Sequence, residues 1–314
     1  MEQRKLIQHG VSSLTMALPL KWLKQRGLKK GDSLFIEEEG NKLILSTKES
    51  VKLDKISVDV SGLDRTSILL YVQSLYRFGY NEIEVKFRKP TAIHYRVDKQ
   101  KPISSTVHRI VNRLIGAEIV EQSEDRILIR YITKEAEEDF KVVLRRAFLL
   151  MNEAADTLLD GIKKKDTTRL GSIEDFHDNI NKFVNYSLRL LNKYGYPDVK
   201  KTCFYYHIIA TIDKIVDILK YNARELKNYD KKCHKDTIDI WEQINGSIKA
   251  YYRLFYDFDL KIVDELSRNR DHVKNLIRKK AKSLPVDELM FITNMKQVLE
   301  IMLDMTDARM GLEY

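Results

Sequence analysis

Apolar residues recur along this chain in three rhythms, and each predicts a different kind of structure. Over residues 1–48 they come as short runs split by turn residues: Lys5-Leu6-Ile7, Ser13-Leu14-Thr15-Met16-Ala17, Ser33-Leu34-Phe35-Ile36 and Lys42-Leu43-Ile44-Leu45. Such runs predict short strands. Pro19 suits the first turn of a helix continued by Lys21 to Arg26, and Gly27 suits its C-terminal end. Gly31-Asp32 and Gly40-Asn41 supply turns, the second between two apolar runs as a hairpin requires. So short a segment buries little surface alone, which predicts pairing with a second copy.

Over residues 50–132 the rhythm alternates. Ile56-Ser57-Val58-Asp59-Val60 and Glu82-Ile83-Glu84-Val85-Lys86-Phe87 have the period of two expected of half-buried strands. Asp64 and Ser67 open a helix through Tyr80, with Ile68, Leu69, Val72, Leu75 and Tyr76 on one face. Pro102 to Ile115 reads as a helix led by Ser104 and Ser105. Ala117-Glu118-Ile119-Val120 and Ile127-Leu128-Ile129-Arg130-Tyr131 read as a final strand pair. These elements predict a small α+β domain.

From residue 134 to 314 the period becomes helical. Phe140, Val143, Leu144, Ala147, Met151, Ala154, Leu158 and Ile162 form one stripe at three- and four-residue steps, on a helix from Glu135. Ile180, Phe183, Val184, Ser187 and Leu191 continue the pattern, as do Tyr205, Ile208, Ile209, Ile212, Ile215 and Val216. Pro197 and Pro285 fall between helical runs. The segment predicts an all-α bundle.

It also repeats itself. Ile212-Asp213-Lys214-Ile215-Val216-Asp217 aligns with Leu299-Glu300-Ile301-Met302-Leu303-Asp304, and Asp175 with Asn179-Ile180 aligns with Asp271 and Asn275-Leu276. The helix from Glu135 has a counterpart from about Asp236 to Leu266, carrying Trp241, Ile244, Ile248, Tyr251, Phe255 and Phe258. Two three-helix units follow, about 135–227 and 236–314. Carboxylates four residues apart share a helical face and repel. Beside an apolar stripe they call for a cation, and acids on bundle helices are one way to hold a metal. The alternative is a pair of solvated acids beside Lys214 and Lys296.

Composition narrows the class. The 314 residues are 43% hydrophobic and 32% charged, with a net charge of +9. That mix is globular, and the basic balance favours anionic partners such as nucleic acid. No run approaches the roughly 20 apolar residues that cross a bilayer, so no membrane insertion is expected. MEQRKLIQHG lacks the apolar core of a signal peptide. Cys203 and Cys233 have no partner at zinc spacing, and a reducing cytoplasm is the expected location. There is no P-loop, GxGxxG, GxSxG or HExxH. Glu174 with His177 is an unrepeated Glu-x-x-His. His177 and His272, each near a second-helix acid, read as surface or core histidines. The chain reads as non-enzymatic.

The acid-x-x-x-acid pairs Asp213 with Asp217 and Glu300 with Asp304, and the stretch Ala210-Thr211-Ile212-Asp213-Lys214-Ile215-Val216-Asp217-Ile218-Leu219-Lys220-Tyr221-Asn222, resemble the PhoU family of phosphate-signalling proteins. The resemblance runs from about Lys134 to Gly311. It implies two tandem three-helix units, a role in regulating phosphate uptake, and divalent or trivalent metal ions (iron, zinc or magnesium) held by Asp213, Asp217, Glu300 and Asp304, with Asp175 and Asp271 as second-helix ligands. The family's arginine after the first acid is Lys214 in one half and Ile301 in the other, and Asn179 and Asn275 each replace an acid.

The first segment resembles a second family. Arg4-Lys5-Leu6, Ser13-Leu14-Thr15-Met16-Ala17-Leu18-Pro19, Trp22 and Gly27-Leu28-Lys29-Lys30-Gly31-Asp32 are similar to the SpoVT/AbrB swapped-hairpin domain, in which two chains interlace into one DNA-binding barrel. The resemblance implies a homodimer, with Arg4, Lys5, Lys21, Lys24 and Arg26 on the DNA face. Residues 1–50 hold nine Lys/Arg against six Asp/Glu, and Thr15 and Leu23 stand where known bacterial members are basic.

The expected layout is therefore multidomain: an AbrB-like swapped-hairpin β domain at 1–48, a small α+β domain at 50–132, and a PhoU-like tandem three-helix bundle at 134–314. The expected function is a DNA-binding transcriptional regulator of phosphate uptake with a metal-binding sensor. The alternative is an adaptor without a DNA role, acting on a phosphate transporter or its sensor kinase through protein contacts.

Overall fold

A computed structural model of the chain describes residues 3–39, 42–47, 55–133 and 139–314. The Gly40-Asn41 turn and the Glu135 start of the first long helix lie outside the described residues. The chain divides into two compact units, Met1–Lys52 and Leu53–Tyr314.

In the first unit β1 (Ile7–His9) pairs antiparallel with β2 (Ser13–Thr15), α1 (Leu20–Gln25) follows, and β3 (Phe35–Glu39) pairs antiparallel with β4 (Lys42–Ser46). Pro19 stands at the N-cap of α1, one position before the expected first turn. Gly27, at φ +68°, lets the chain reverse: its N–H reaches Lys24 O at 3.2 Å, and Leu28 N–H reaches Leu23 O at 3.0 Å. These paired bonds satisfy carbonyls that the helix end would leave open. No described side chain of this unit is buried. Leu6, Ile36 and Leu43 are each more than 60% exposed, so the described residues of a single copy form no core.

The second unit opens with β5 (Lys55–Asp59), α2 (Arg65–Phe78), β6 (Glu82–Lys86), a hairpin of β7 (Thr91–His94) and β8 (Lys99–Pro102), α3 (Ile103–Val111), β9 (Ala117–Gln122) and β10 (Arg126–Tyr131). The mixed sheet runs β5-β6-β10-β9, with β5 parallel to β6 and the other neighbours antiparallel. Asp64 accepts from Thr66 N–H and Ser67 N–H at the start of α2. The helix ends at Phe78, two residues before the expected Tyr80, with Gly79 at φ +116° as its cap. The α3 helix stops short of the expected Ile115, and Ser104 and Ser105 do not cap it; Ser105 Oγ instead donates back to Pro102 O. The hairpin went unpredicted because it offers almost no apolar alternation: Ala92 is its one buried residue. The core joins Val60, Ile68, Val72, Tyr76, Val85 and Ile127.

Six helices follow: α4 (Asp139–Lys164), α5 (Thr167–Tyr194), α6 (Val199–Lys227), α7 (Lys235–Tyr256), α8 (Leu260–Lys280) and α9 (Val286–Gly311). The α4 stripe is buried from Phe140 to Ile162, with Val143 half-buried. In the first three helices α5 packs on α4 and α6; in the second three α7, α8 and α9 all touch. The two sets join through α4 with α7 and α6 with α9. One expectation is corrected. The helix expected from Asp236 to Leu266 breaks at Asp257, because the Asp259 carboxylate accepts from Lys261 N–H at 2.8 Å and starts a new helix. No helix among the described residues is long and apolar enough to cross a membrane. The contact that positions the site is α2 against α5, where the sheet's first helix lies on the bundle.

Candidate functional site: a charged seam between α2, α5 and α6

Ile208, Ile209, Ile212, Ile215, Val216 and Leu219 of α6 are fully buried. Asp213, Asp217 and Lys220 follow on the adjoining helical face, spaced four and three residues apart. On α5 the buried stripe Ile173, His177, Ile180 and Val184 brings a histidine opposite them. Asp217 Oδ1 lies 3.1 Å from His177 Nε2. Lys220, only 6% exposed, donates to Asp217 Oδ1, and its Nζ is 2.9 Å from His177 Nε2. His177 Nδ1 is 2.9 Å from Asp178 Oδ1, which also takes the Arg113 guanidinium at 2.5 Å. Arg77, in the last turn of α2, spans the seam: its Nη2 is 3.3 Å from Asp213 Oδ2 and its Nε donates to Asn185 Oδ1 at 2.7 Å.

The seam ties proton affinity to packing. Burial would push the Asp217 carboxyl up, but the His177 and Lys220 contacts hold it far below the usual range. Burial likewise opposes ionisation of Asp178, and hydrogen bonding to His177 and the charge of Arg113 bring it to about 2. For His177 burial works against the charged form, while Asp178 and Asp217 favour it and prevail, so its pKa is raised. A raised histidine pKa stabilises the fold fully below about 6.5 and loses that contribution as pH climbs through the folded value. The depressed carboxylates contribute above about 4 and fail as pH falls. The seam is therefore most stable between about pH 4 and 6.5. The melting temperature lost on His177→Gln should be larger at pH 6 than at pH 8.5; equal losses would remove this assignment.

The sequence-derived metal ligands fare differently. Among the described residues one group has donor types and spacing for an ion: His177, Asp213 and Asp217, with ligand atoms within 4.8 Å of one another. Asp213 and Asp217 thus come together, and His177 joins them. The cation that the acid pair called for is already there, as the Lys220 ammonium and the Arg77 guanidinium. An ion would have to displace Lys220 to reach Asp217 and His177. Glu300 is 46% exposed, with Lys274 at 3.7 Å and Arg270 at 3.9 Å, and Asp304 is exposed. Asp175 is exposed, and Asp271 is 66% exposed beside Arg270. The structure does not bring these four to the cluster.

Helical phase explains the difference. The inward face of α5 runs through Ile173, His177 and Ile180, which turns Asp175 outward. Aligning Asp175 with Asp271 places Val273 where the first half has His177, and Lys274 where it has Asp178. Val273 is fully buried, so the second half has an apolar contact at the matching place. The signal for His177 was its position inside an apolar stripe, with Asp178 beside it. Of the sequence-derived DNA residues, Arg4 and Lys5 both precede β1, Lys21 and Lys24 lie on α1, and Arg26 is its C-cap; all five are exposed. No protein-family model matches the chain, and no curated protein matches it.

Proposed function

We propose that this chain is a regulator of phosphate uptake built on PhoU-like lines: a paired, AbrB-like head that contacts DNA, and a helical sensor whose control point is the seam. The observation that carries the sensor half is the Arg77–Asp213 pair, because it joins the acid couple of α6 to the last turn of α2. Any event that changes the charge at Asp213, Asp217 or His177 changes what holds the α+β segment on the helices. A divalent metal enters this reading as an exchange: His177, Asp213 and Asp217 take the ion and the Lys220 ammonium leaves. The head is supported by its exposed Leu6, Ile36 and Leu43, which a second copy would cover.

The DNA half is tested by titrating the full chain onto duplex DNA across salt. Binding should weaken steeply between about 50 and 200 mM salt, with log affinity linear in log salt. Lys21→Ala and Arg26→Ala should each lower that slope by about one. No binding at the lowest salt removes the DNA role and leaves the adaptor that works on a transporter or sensor kinase.

A further inference from the structure

The seam opens on a cleft, with His177, Asp213, Asp217 and Lys220 in its wall, and most of the cleft's positive charge lies outside the seam's own ion pairs. Its inner cavity, of about 220 Å³, has Arg65 of α2, Arg109 of α3 and Arg113 on one side and Lys214, Lys220 and Arg224 of α6 on the other. Its outer cavity, of about 580 Å³, shares Arg65 and Arg109 and adds Lys99 and Lys101 of the β7–β8 hairpin. Arg96, from the turn between those strands, leans over the Tyr221 ring and donates to its hydroxyl at 3.2 Å.

Most of this charge is unbalanced. Lys220, Arg113 and Arg224 have acid partners in Asp217, Asp178 and Glu174. Among the described residues no carboxylate lies within 4 Å of Arg65, Arg96, Arg109, Lys214, Lys99 or Lys101. The two acids in the wall, Asp213 and Asp217, are already spent on Arg77 and Lys220. Burial, followed by the charges of Arg109, Arg113 and Arg96, pushes the Arg65 guanidinium below its ordinary proton affinity. Helix α3 opens on the outer cavity through Ser105 and Thr106, and no side chain caps its first turn, which adds positive potential there.

We infer that this cleft binds a small anion carrying several linked phosphates. Guanidinium forks match phosphate oxygens in pairs. A single phosphate carries about two charges and would satisfy only two or three of these cations. The others are spread over two joined cavities, so the complement is a chain. Val97 is the one apolar side chain among the described residues lining the outer cavity, so that cavity offers little to an apolar body, whereas Leu69, Leu70 and Ile110 line the inner one. Bound there, the chain would bridge α2 and α3 to α6. This inference stands without the DNA reading.

The test is calorimetric titration of the full chain, at about 0.15 M salt, with inorganic tripolyphosphate, adenosine triphosphate and orthophosphate. Tripolyphosphate should bind at least about tenfold more tightly than orthophosphate. Arg65→Gln and Arg109→Gln should each weaken it roughly tenfold, whereas Lys282→Gln, an exposed lysine beyond α8, should not. Arg109 is exposed, so its variant keeps the fold and decides the matter if Arg65→Gln does not. Equal binding of the two polyphosphates means that the phosphate chain alone is read; tighter adenosine triphosphate means that the nucleoside adds contacts. Failure of both to bind, or equal loss in the Lys282 variant, overturns the inference. So does a short single-stranded DNA that occupies the cleft far more tightly than tripolyphosphate, which would make it a nucleic-acid site.

Discussion

Replacing Arg189 with alanine is expected to cost this protein roughly 3–5 kcal/mol of stability. Arg189 is on α5, fully buried, and is the largest side chain so enclosed among the described residues. Its Nη1 donates to Tyr76 O at 2.9 Å and Tyr80 O at 2.8 Å, and its Nη2 to Asn81 Oδ1 at 2.7 Å. Those carbonyls lie at and just past the C-terminus of α2, where a helix leaves acceptors open and welcomes positive charge. The guanidinium also stacks over Tyr131, with its carbon 4.3 Å from the ring centroid. Alanine would strand the acceptors and leave a void. Lysine would keep the charge but lose the fork, and should recover less than half of the loss. Urea unfolding checks both: the midpoint should fall with the slope unchanged. A change of less than about 1 kcal/mol for alanine would mean that Arg189 does not anchor α2 to the bundle.

Lys220→Ala should act in two ways at once. Removing a buried partner from Asp217 and His177 should cost about 2 kcal/mol, below the cost of a fully buried pair, because the Asp217 side chain is 32% exposed and water can reach it. The same change frees the His177, Asp213 and Asp217 donors from their resident cation, so affinity for zinc should rise at least about tenfold over the unaltered chain. Adding Asp213→Ala should abolish the gain, and Glu300→Ala should leave it in place. Zinc titration calorimetry on the four proteins reads all of this. No gain on Lys220→Ala would show that the ammonium is not what an ion competes with, and the exchange proposed for the seam would fall.

The chain's periodicity determined much by itself. Alternation over residues 56–60 and 82–87 placed the two parallel strands of the sheet, and the stripe from Phe140 to Ile162 placed the inner face of α4, because repeat distance along a chain is set by backbone geometry alone. Local chemistry marked some ends: Asp64 begins α2 and Gly27 closes α1. It overran others, since nothing in the stripe of α7 announces that the Asp259 side chain will capture the next turn's N–H. The acid pair on α6 was visible as a pattern too.

What answers that pair was decided only by tertiary structure. Arg77 is 136 positions from Asp213, and His177 is 40 from Asp217. No local spacing links such residues; they meet because α2 packs on α5 and α5 packs on α6. The same packing separates two repeats that look alike in sequence, giving one acid pair a histidine and a buried lysine and leaving the other near the surface, where Glu300 faces Lys274 and Arg270 and Asp304 is exposed. It also gathers cations from α2, α3, a hairpin without apolar signal and α6 around one cleft. Charge is counted along a sequence, but electrostatic interaction depends on distance and burial, and both are properties of the packed chain.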